Sequence, residues 1–289
     1  MLIDAHNHPN WHGFNAEKIL RNMDDQGIDQ MWLFSWELPE NEYSPSYHAV
    51  LPPDGVGIPF KDVLSVANVE PDRFVVGYMP HPKRPDAIDR LKAAVEIHGV
   101  KVASELKVRL SFDDPDALRL YDYCGEARLP ITIHLDYPID HGNGLYPRPN
   151  WWYGGSIESL ERAIIQCPNT VFIGHAPGFW AHLSLDNQFS EVSYPKGPVV
   201  PDGKIIRMLR KYPNLYADLS AGSGLRALQR DVEFSRKFLI EFQDRMLFGR
   251  DYFDTSLMDF LVKLSLDLEV FEKITFKNAQ RLLNSYMDS

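Results

Sequence analysis

The segment LIDAHNH at residues 2–8 joins a short apolar run to two histidines. His6 and His8 are two residues apart, so on an extended strand both side chains point to the same face and can bind one ion. A helical ligand pair needs a spacing of three or four residues instead. The opening segment therefore predicts a β-strand that ends in a metal-binding pair.

Three further metal-competent residues stand at the ends of later apolar runs. They are His134 after ITI, His175 after VFIG and Asp251 after MLFGR. A single histidine is weak evidence for a metal site. Five metal-competent residues at the ends of successive strand-like runs are hard to produce by chance. In a (β/α)8 barrel the carboxyl ends of the strands meet on the rim where catalytic groups lie.

Strand-like and helix-like segments alternate along the chain. The predicted strands are 2–8, 29–34, 74–78, 102–108, 131–134, 170–173, 214–219 and 246–248. Helical patterns lie between them, such as the first one, which Asn15 caps and Gly27 ends. Eight strands with intervening helices predict an α/β fold, a closed (β/α)8 TIM barrel.

The length of the chain fits one domain, because α/β barrels commonly contain about 250 residues. We predict a single barrel domain over residues 1–289, with long loops at about 37–59, 136–155 and 176–201 on the face that carries the histidines. Loops of this length inside a compact domain are usually functional. Their aromatic residues either wall a small organic ligand or pack the loops onto the barrel: Trp36, Tyr43, Tyr47, Trp151, Trp152, Tyr153, Phe179 and Trp180.

Composition excludes several classes of protein. A net charge of −10, from 30 basic and 40 acidic residues, argues against nucleic acid or an anionic membrane as a partner. No signal-peptide pattern and no apolar run of spanning length is present, so we expect a cytoplasmic protein with a small-molecule substrate. A homo-oligomer is left open. Cys124 and Cys167 form no metal motif and are expected to be buried thiols.

Six segments, in order and at matching spacing, resemble the amidohydrolase-related superfamily of metal-dependent hydrolases. They are IDAHNH, LPITIH, IGH, YPNLYAD, LFGRD and KNAQRLL. Within it they are most similar to amidohydrolase family 2, the branch that includes aminocarboxymuconate-semialdehyde decarboxylase and related hydrolases. The resemblance runs from residue 2 to about 285 and implies a TIM barrel of the metal-dependent hydrolase type.

The resemblance also implies a role for each motif residue. His6 and His8 match the metal pair on strand one, and His134 matches the ligand on strand five. His175 matches the strand-six histidine near the reacting water or substrate. Asp251 matches the carboxylate on strand eight.

Lys107 falls where many relatives have a lysine on strand four. We expect it to bind a substrate carboxylate or the reacting oxygen. Two residues depart from the family pattern. Glu105, two positions before Lys107, could be a further metal ligand, a competing base or the partner of Lys107. Arg250 stands where relatives often have threonine or serine before the aspartate.

Imidazole nitrogens together with carboxylate oxygens suit zinc, which we expect first, and equally manganese, iron or cobalt. The same-face pair predicts about one divalent ion per chain, and a second ion is left open. Such an ion lowers the pKa of a bound water toward neutrality. Asp251 could accept the proton of this water, and His175 could stabilise the developing oxyanion.

These residues predict a metal-dependent hydrolase that cleaves a C–O or C–N bond in a small, carboxylated or cyclic substrate. A non-oxidative decarboxylase on the same scaffold is the alternative, and a barrel that binds a ligand without turnover is the third reading. Walker, Rossmann and nucleophile-elbow patterns are missing, so no nucleotide or flavin is expected. Four arginines are candidates to pair an acidic substrate or to lie in solvent: Arg109, Arg226, Arg230 and Arg250.

Overall fold

The computed structural model describes residues 1–39, 42, 50–51, 57–139 and 151–284. Each of the eight predicted strands is present, with its ends within two residues of the predicted ones. The strands are β1 Ile3–Asn7, β2 Gln30–Phe34, β3 Phe74–Gly77, β4 Ala103–Leu106, β5 Ile131–His134, β6 Phe172–His175, β7 Leu215–Asp218 and β8 Met246–Leu247.

The strands pair in parallel in the order of the chain, and the sheet closes on itself. β1, β2 and β3 form one hydrogen-bonded set, and β4 to β8 form the other. A parallel bridge between Gly77 and Val102 connects the two sets. On the opposite side, the N–H of Ala5 donates to the carbonyl of Phe248 at 2.9 Å, which links β1 to the end of β8. The predicted (β/α)8 barrel is confirmed.

Helices follow the strands, and the first of them begins and ends at the residues that the sequence indicates. They are α1 Ala16–Gln26, α2 Phe60–Ala67, α3 Ala87–His98, α4 Pro115–Glu126, α5 Ile157–Gln166, α6 Ala176–Trp180, α7 Lys204–Lys211, α8 Ala221–Gln229, α9 Val232–Glu241, α10 Ser256–Lys263, α11 Leu268–Glu272 and α12 Asn278–Asn284. The Asn15 side chain accepts from the N–H of Lys18 at 3.1 Å and caps α1, and Gly27 ends it with a left-handed φ of 64°.

Side chains from several of the strands fill the barrel interior. One buried cluster joins Ile3, Trp32, Phe34, Val75, Val102, Ile173 and Leu247 with Ala279 and Leu282 of α12. The alternate residues of β2, Met31 and Leu33, pack outward with residues of α1 and α2. The ring of Phe34 lies 4.9 Å from the ring of His6, so the histidines rest on this apolar layer.

The three predicted loops contain short elements of their own. Trp36–Glu37 pairs antiparallel with Gly57–Ile58, and Asp136 bridges to Tyr153. Tyr43, Tyr47 and most of the second loop lie outside the described residues. The third loop contains α6, whose aromatic residues Phe179 and Trp180 belong to the buried core instead of facing a ligand.

Among the described residues, none of the helices combines the length and the apolar character that crossing a membrane requires.

Candidate metal centre

The histidine pair of β1 and the carboxylate that follows β8 meet at the carboxyl end of the barrel. Nε2 of His8 lies 3.6 Å from Oδ1 of Asp251, and Nε2 of His6 lies 3.9 Å from the same oxygen. His6 Nε2 and Asp251 Oδ1 are buried and have no hydrogen-bond partner. Ligand atoms about 2.1 Å from a tetrahedral ion lie roughly 3.4 Å apart. These three atoms therefore fit one ion.

The other nitrogen of each histidine is held by a hydrogen bond. Nδ1 of His6 lies 2.5 Å from Oδ2 of Asp218, and Nδ1 of His8 lies 3.0 Å from the carbonyl oxygen of Phe34. A carbonyl can only accept, so Nδ1 of His8 carries the proton and its Nε2 keeps the lone pair. Partners of this kind fix the tautomer and orientation of metal-binding histidines.

Asp251 is held in a conformation that non-glycine residues seldom adopt. Its φ is 56°, in the left-handed region. Its N–H donates to the carbonyl of His6 at 2.9 Å, and its own carbonyl accepts from Nε1 of Trp11 at 2.6 Å. These bonds fix the backbone of Asp251 against β1, with its carboxylate facing the histidine pair. Strained backbone held in this way is common at functional sites.

A second group lies beside the first and consists of Glu105, His134 and His175. Oε1 of Glu105 lies 2.5 Å from Nδ1 of His134 and 3.6 Å from Nε2 of His175. Its other oxygen, Oε2, lies 3.4 Å from Nε2 of His8. Burial alone would raise the pKa of Glu105, but the neighbouring His134 outweighs burial and holds that pKa well below its usual range. The Glu105 carboxylate is therefore ionised and connects the two groups.

The structure thus brings the predicted metal-binding residues to one end of the barrel. There they belong to more than one ion-sized group. His134 and Glu105 were expected to join His6, His8 and Asp251 as metal ligands. Nδ1 of His134 lies 2.5 Å from Oε1 of Glu105, and its Nε2 is buried without a hydrogen-bond partner. Ion-sized groups among the described residues contain His134 only together with Glu105 and His175.

Asp218, at the end of β7, is a residue of the centre that the sequence reasoning missed. It is fully buried, and its Oδ2 lies 2.5 Å from Nδ1 of His6 and 3.4 Å from Nδ1 of His175. Burial disfavours the charged form of both side chains, but the attraction between Asp218 and His6 outweighs it. The pKa of Asp218 is therefore lowered and the pKa of His6 is raised. Ser220 completes the arrangement with its Oγ 3.1 Å from Nδ1 of His175. Asp218 closes a strand-like run, the same signal that marked the histidines.

Lys107 lies at the same end of the barrel, with its ammonium group over three aromatic rings. Nζ is 4.7 Å from the ring centre of Trp36, 5.6 Å from that of Tyr153 and 5.8 Å from that of Trp151. The Glu105 carboxylate contacts histidines, and the charge of Lys107 helps the nearer His134 to lower the pKa of Glu105. The ammonium group itself has an aromatic environment.

Two of the candidate arginines are structural. Nε of Arg250 donates to Oδ2 of the buried Asp4 at 2.8 Å, and the same guanidinium donates to side chains of α1. Arg250 therefore ties the end of β8 to β1 and α1, which accounts for its departure from the family pattern. Arg230 donates to Asp186 at 2.6 Å.

A cavity of about 1210 Å³ lies next to Trp36. Its lining also includes Pro9 and Asn10, which follow His8 in the chain, and it is formed by loop residues rather than by the histidines. Ligand pockets for small molecules measure about 300–1,000 Å³. The cavity is large enough for a small organic molecule, but the candidate metal ligands are not among the residues that line it.

Comparison with known proteins identifies the family. A sequence model described as amidohydrolase matches residues 3–284. The chain belongs to the amidohydrolase family. Amidohydrolases of this kind are metal-dependent enzymes, as the sequence resemblance implied, and the groups of possible ligands fit that assignment. A search of curated proteins finds no match for this amidohydrolase.

Solved structures share the barrel over nearly its whole length. An uncharacterised TIM-barrel protein from Bordetella bronchiseptica is 18% identical, with 99% of each chain covered and a TM-score of 0.67. A dihydroxybenzoic acid decarboxylase from Polaromonas sp. JS666, with manganese and 2-nitroresorcinol bound, is 16% identical, with 98% of this chain and 96% of that chain covered and a TM-score of 0.61. A protein from Acinetobacter baumannii named a probable 2-pyrone-4,6-dicarboxylic acid hydrolase, with citric acid bound, is 11% identical, with 98% of this chain and 99% of that chain covered and a TM-score of 0.60. At these identities the likeness shows the fold.

Proposed function

We propose that this amidohydrolase uses a divalent ion, held by His6, His8 and Asp251, to hydrolyse a C–O or C–N bond in a small carboxylated or cyclic substrate. The observation that carries the proposal is the convergence of Nε2 of His6, Nε2 of His8 and Oδ1 of Asp251. Two of these atoms are buried without a partner. Each such atom costs about 1–3 kcal/mol, and an ion bound between them offsets that cost. Zinc is the first candidate, and manganese, iron and cobalt share the same ligand preference.

When bound, the ion lowers the pKa of a water ligand toward neutrality and polarises a substrate carbonyl. Asp251 takes up the proton that the attacking water releases and returns it to the leaving group. His175 lies across the centre, with its ring 4.3 Å from that of His6, and stabilises negative charge on the carbonyl oxygen.

The surroundings of Lys107 support a flat, acidic substrate. Its ammonium group can pair with a carboxylate while Trp36, Trp151 and Tyr153 provide apolar faces for a ring. The ring of Tyr153 also lies 5.4 Å from that of His134, so this surface adjoins the centre. A carboxylate bound at Lys107 would therefore hold the rest of the molecule on this surface, beside His134.

The test uses metal-loaded protein and a panel of possible substrates. The panel contains lactones and amides with and without a ring carboxylate, together with aromatic acids. We expect release of acid, alcohol or amine. We expect Asp251→Asn, compared at matched metal occupancy, to lose about 10²- to 10⁴-fold in turnover. Glu105→Gln is the matched comparison, because Glu105 is the competing base. If only Glu105→Gln abolishes turnover, the assignment of the base is wrong.

The same panel separates the other two functions. Release of carbon dioxide from the aromatic acids without hydrolysis would assign the alternative function, non-oxidative decarboxylation. The Polaromonas protein, which has the same fold, is named a decarboxylase. Absence of turnover across the panel by metal-loaded protein would favour a barrel that binds its ligand without chemistry.

A further inference from the structure

We propose that the cavity next to Trp36 is a second ligand site, which binds a small monocarboxylic acid against Arg109 and apart from the metal centre. The cavity measures about 1210 Å³ and is lined by segments that follow β1, β2, β3 and β4. Among the described residues that line it, none is a candidate metal ligand. The inference therefore goes beyond the proposed function and does not depend on it.

Arg109 brings to the cavity a positive charge that bonds the backbone instead of a carboxylate. Its Nη2 donates to the carbonyl oxygen of Glu42 at 3.3 Å, and its Nε is buried without a hydrogen-bond partner among the described residues. The Glu42 carboxylate accepts from the backbone N–H of Arg109 at 3.1 Å, not from the guanidinium. The guanidinium therefore keeps N–H groups for a further acceptor, and a carboxylate is the acceptor that it binds most strongly.

Two other basic side chains of the lining already have acidic partners. Nζ of Lys83 lies 2.8 Å from Oδ1 of Asp114, and Nε of Arg84 lies 3.2 Å from Oδ1 of Asp86. An acid that bound to either of them would have to displace a carboxylate of the protein. Arg109 differs from both, because a ligand there adds a carboxylate without displacing one.

The acidic side chains of the lining limit the charge of the ligand. Glu37 accepts from the hydroxyl of Tyr78 at 2.9 Å and from the N–H of His81 at 3.1 Å. Asp62 accepts from the side chain of Asn10 at 3.1 Å. These carboxylates are stabilised by donors of the protein, so they remain as fixed negative charges around the cavity. A molecule with one carboxylate matches this lining better than an anion with several charges.

The rest of the lining indicates an apolar body for the acid. Trp36, Leu51 and Ile58 are buried apolar residues that face the cavity together with the ring of Phe60. Pockets with apolar walls and a few polar groups that fix orientation are typical of small organic ligands. The ring of Trp36 also lies 4.7 Å from Nζ of Lys107, so the two acid-binding regions share one aromatic ring. We infer a ring-sized monocarboxylic acid.

The experiment measures the binding of benzoate to metal-loaded protein by isothermal titration calorimetry. All measurements use the Lys107→Met variant, so that the carboxylate site proposed at Lys107 does not contribute. Benzamide, which has the same shape without the charge, is the control ligand. We expect one benzoate per chain and benzamide binding at least about tenfold weaker. No binding of benzoate at millimolar concentrations overturns the proposal.

Two further substitutions in the Lys107→Met protein assign the site. Arg109→Gln removes the guanidinium and should lower the affinity for benzoate about 10- to 100-fold. Arg84→Gln makes the same change at a guanidinium of the lining that is paired with Asp86, and it should leave the affinity unchanged. Equal affinities in these two proteins overturn the proposal, because benzoate would then bind at the metal ion or elsewhere.

A crystal structure of the metal-loaded wild-type protein with benzoate decides the question even if Arg109→Gln does not fold. We expect the carboxylate on the guanidinium of Arg109 and the ring against Trp36. Benzoate bound only at the ion or at Lys107 contradicts the proposal. Neither measurement uses turnover, so the second site and the proposed hydrolase stand or fall separately.

Discussion

Asp218 holds the Nδ1 atoms of two histidines that face the centre, His6 and His175. Removal of such a partner typically lowers metal affinity about 10- to 100-fold, because the ring loses its fixed orientation and part of its basicity. We therefore expect Asp218→Asn to weaken metal binding by that factor, as measured by competition with a chromophoric chelator. The exposed Asp25→Asn is the control. Equal affinities in the two variants would show that Asp218 has no part in positioning His6.

Lys107 is expected to select the substrate rather than to support the fold. Lys107→Met keeps the length and the contact with Trp36 but removes the charge, so turnover of a carboxylated substrate should fall while the melting temperature changes little. The uncharged amide analogue of the same substrate is the internal control and should be turned over at an unchanged rate. A large loss of thermal stability together with normal turnover would show that Lys107 is structural.

His182 gives the fold a dependence on pH. Burial lowers its pKa from an ordinary 6.5 to about 4, and its Nε2 lies 2.7 Å from the hydroxyl of Tyr137. Between these two values the unfolded chain binds a proton that the folded chain excludes, so this contribution to stability is complete above pH 6.5 and is lost as pH falls toward 4. The full shift corresponds to about 3 kcal/mol.

We expect the free energy of unfolding of metal-free protein, measured in urea at pH 7 and pH 5, to fall more for the wild-type chain than for His182→Gln. His98→Gln changes an exposed histidine and is the control. Its free energy of unfolding should fall as much as that of the wild-type chain. If the free energy of unfolding falls equally for the wild-type chain and His182→Gln, His182 is not the group responsible for this pH dependence.

At the level of elements, the strands were predictable and several helices were not. Parallel strands buried on both faces are continuous apolar runs, which the sequence displays directly. By contrast, α8 begins Ala221-Gly222-Ser223-Gly224, a composition typical of loops. It is helical because a glycine there lets α8 pack tightly against the end of β7, a tertiary contact that overrides local propensity.

The two glycines of α8 test this explanation. A Cβ at Gly224 would overlap the backbone of Leu219, whereas a Cβ at Gly222 would meet only Nε of Arg226 at 3.7 Å. We expect Gly224→Ala to lower the free energy of unfolding by about 1–3 kcal/mol. Gly222→Ala should be neutral or slightly stabilising. Equal midpoints of chemical unfolding for the two variants would mean that α8 does not depend on this close approach.

At the scale of the whole molecule, the sequence could locate the centre but could not resolve its parts. The rule that catalytic groups follow barrel strands identified His6, His8, His134, His175 and Asp251 as members of one rim. Their division among three overlapping ion-sized groups depends on the rotation of each ring, which hydrogen bonds such as that between His8 and Phe34 decide. The aromatic surroundings of Lys107 come from two loops far apart in the chain. The single-domain boundary and the cytoplasmic location stay predictions.

The most direct test of the proposed metal centre is a crystal structure of the manganese-loaded protein with anomalous diffraction data. We expect an anomalous peak within about 2.0–2.3 Å of Nε2 of His6, Nε2 of His8 and Oδ1 of Asp251. A fully loaded crystal with no peak between these atoms, and with the ion bound elsewhere, would contradict the proposed centre and the chemistry that depends on it.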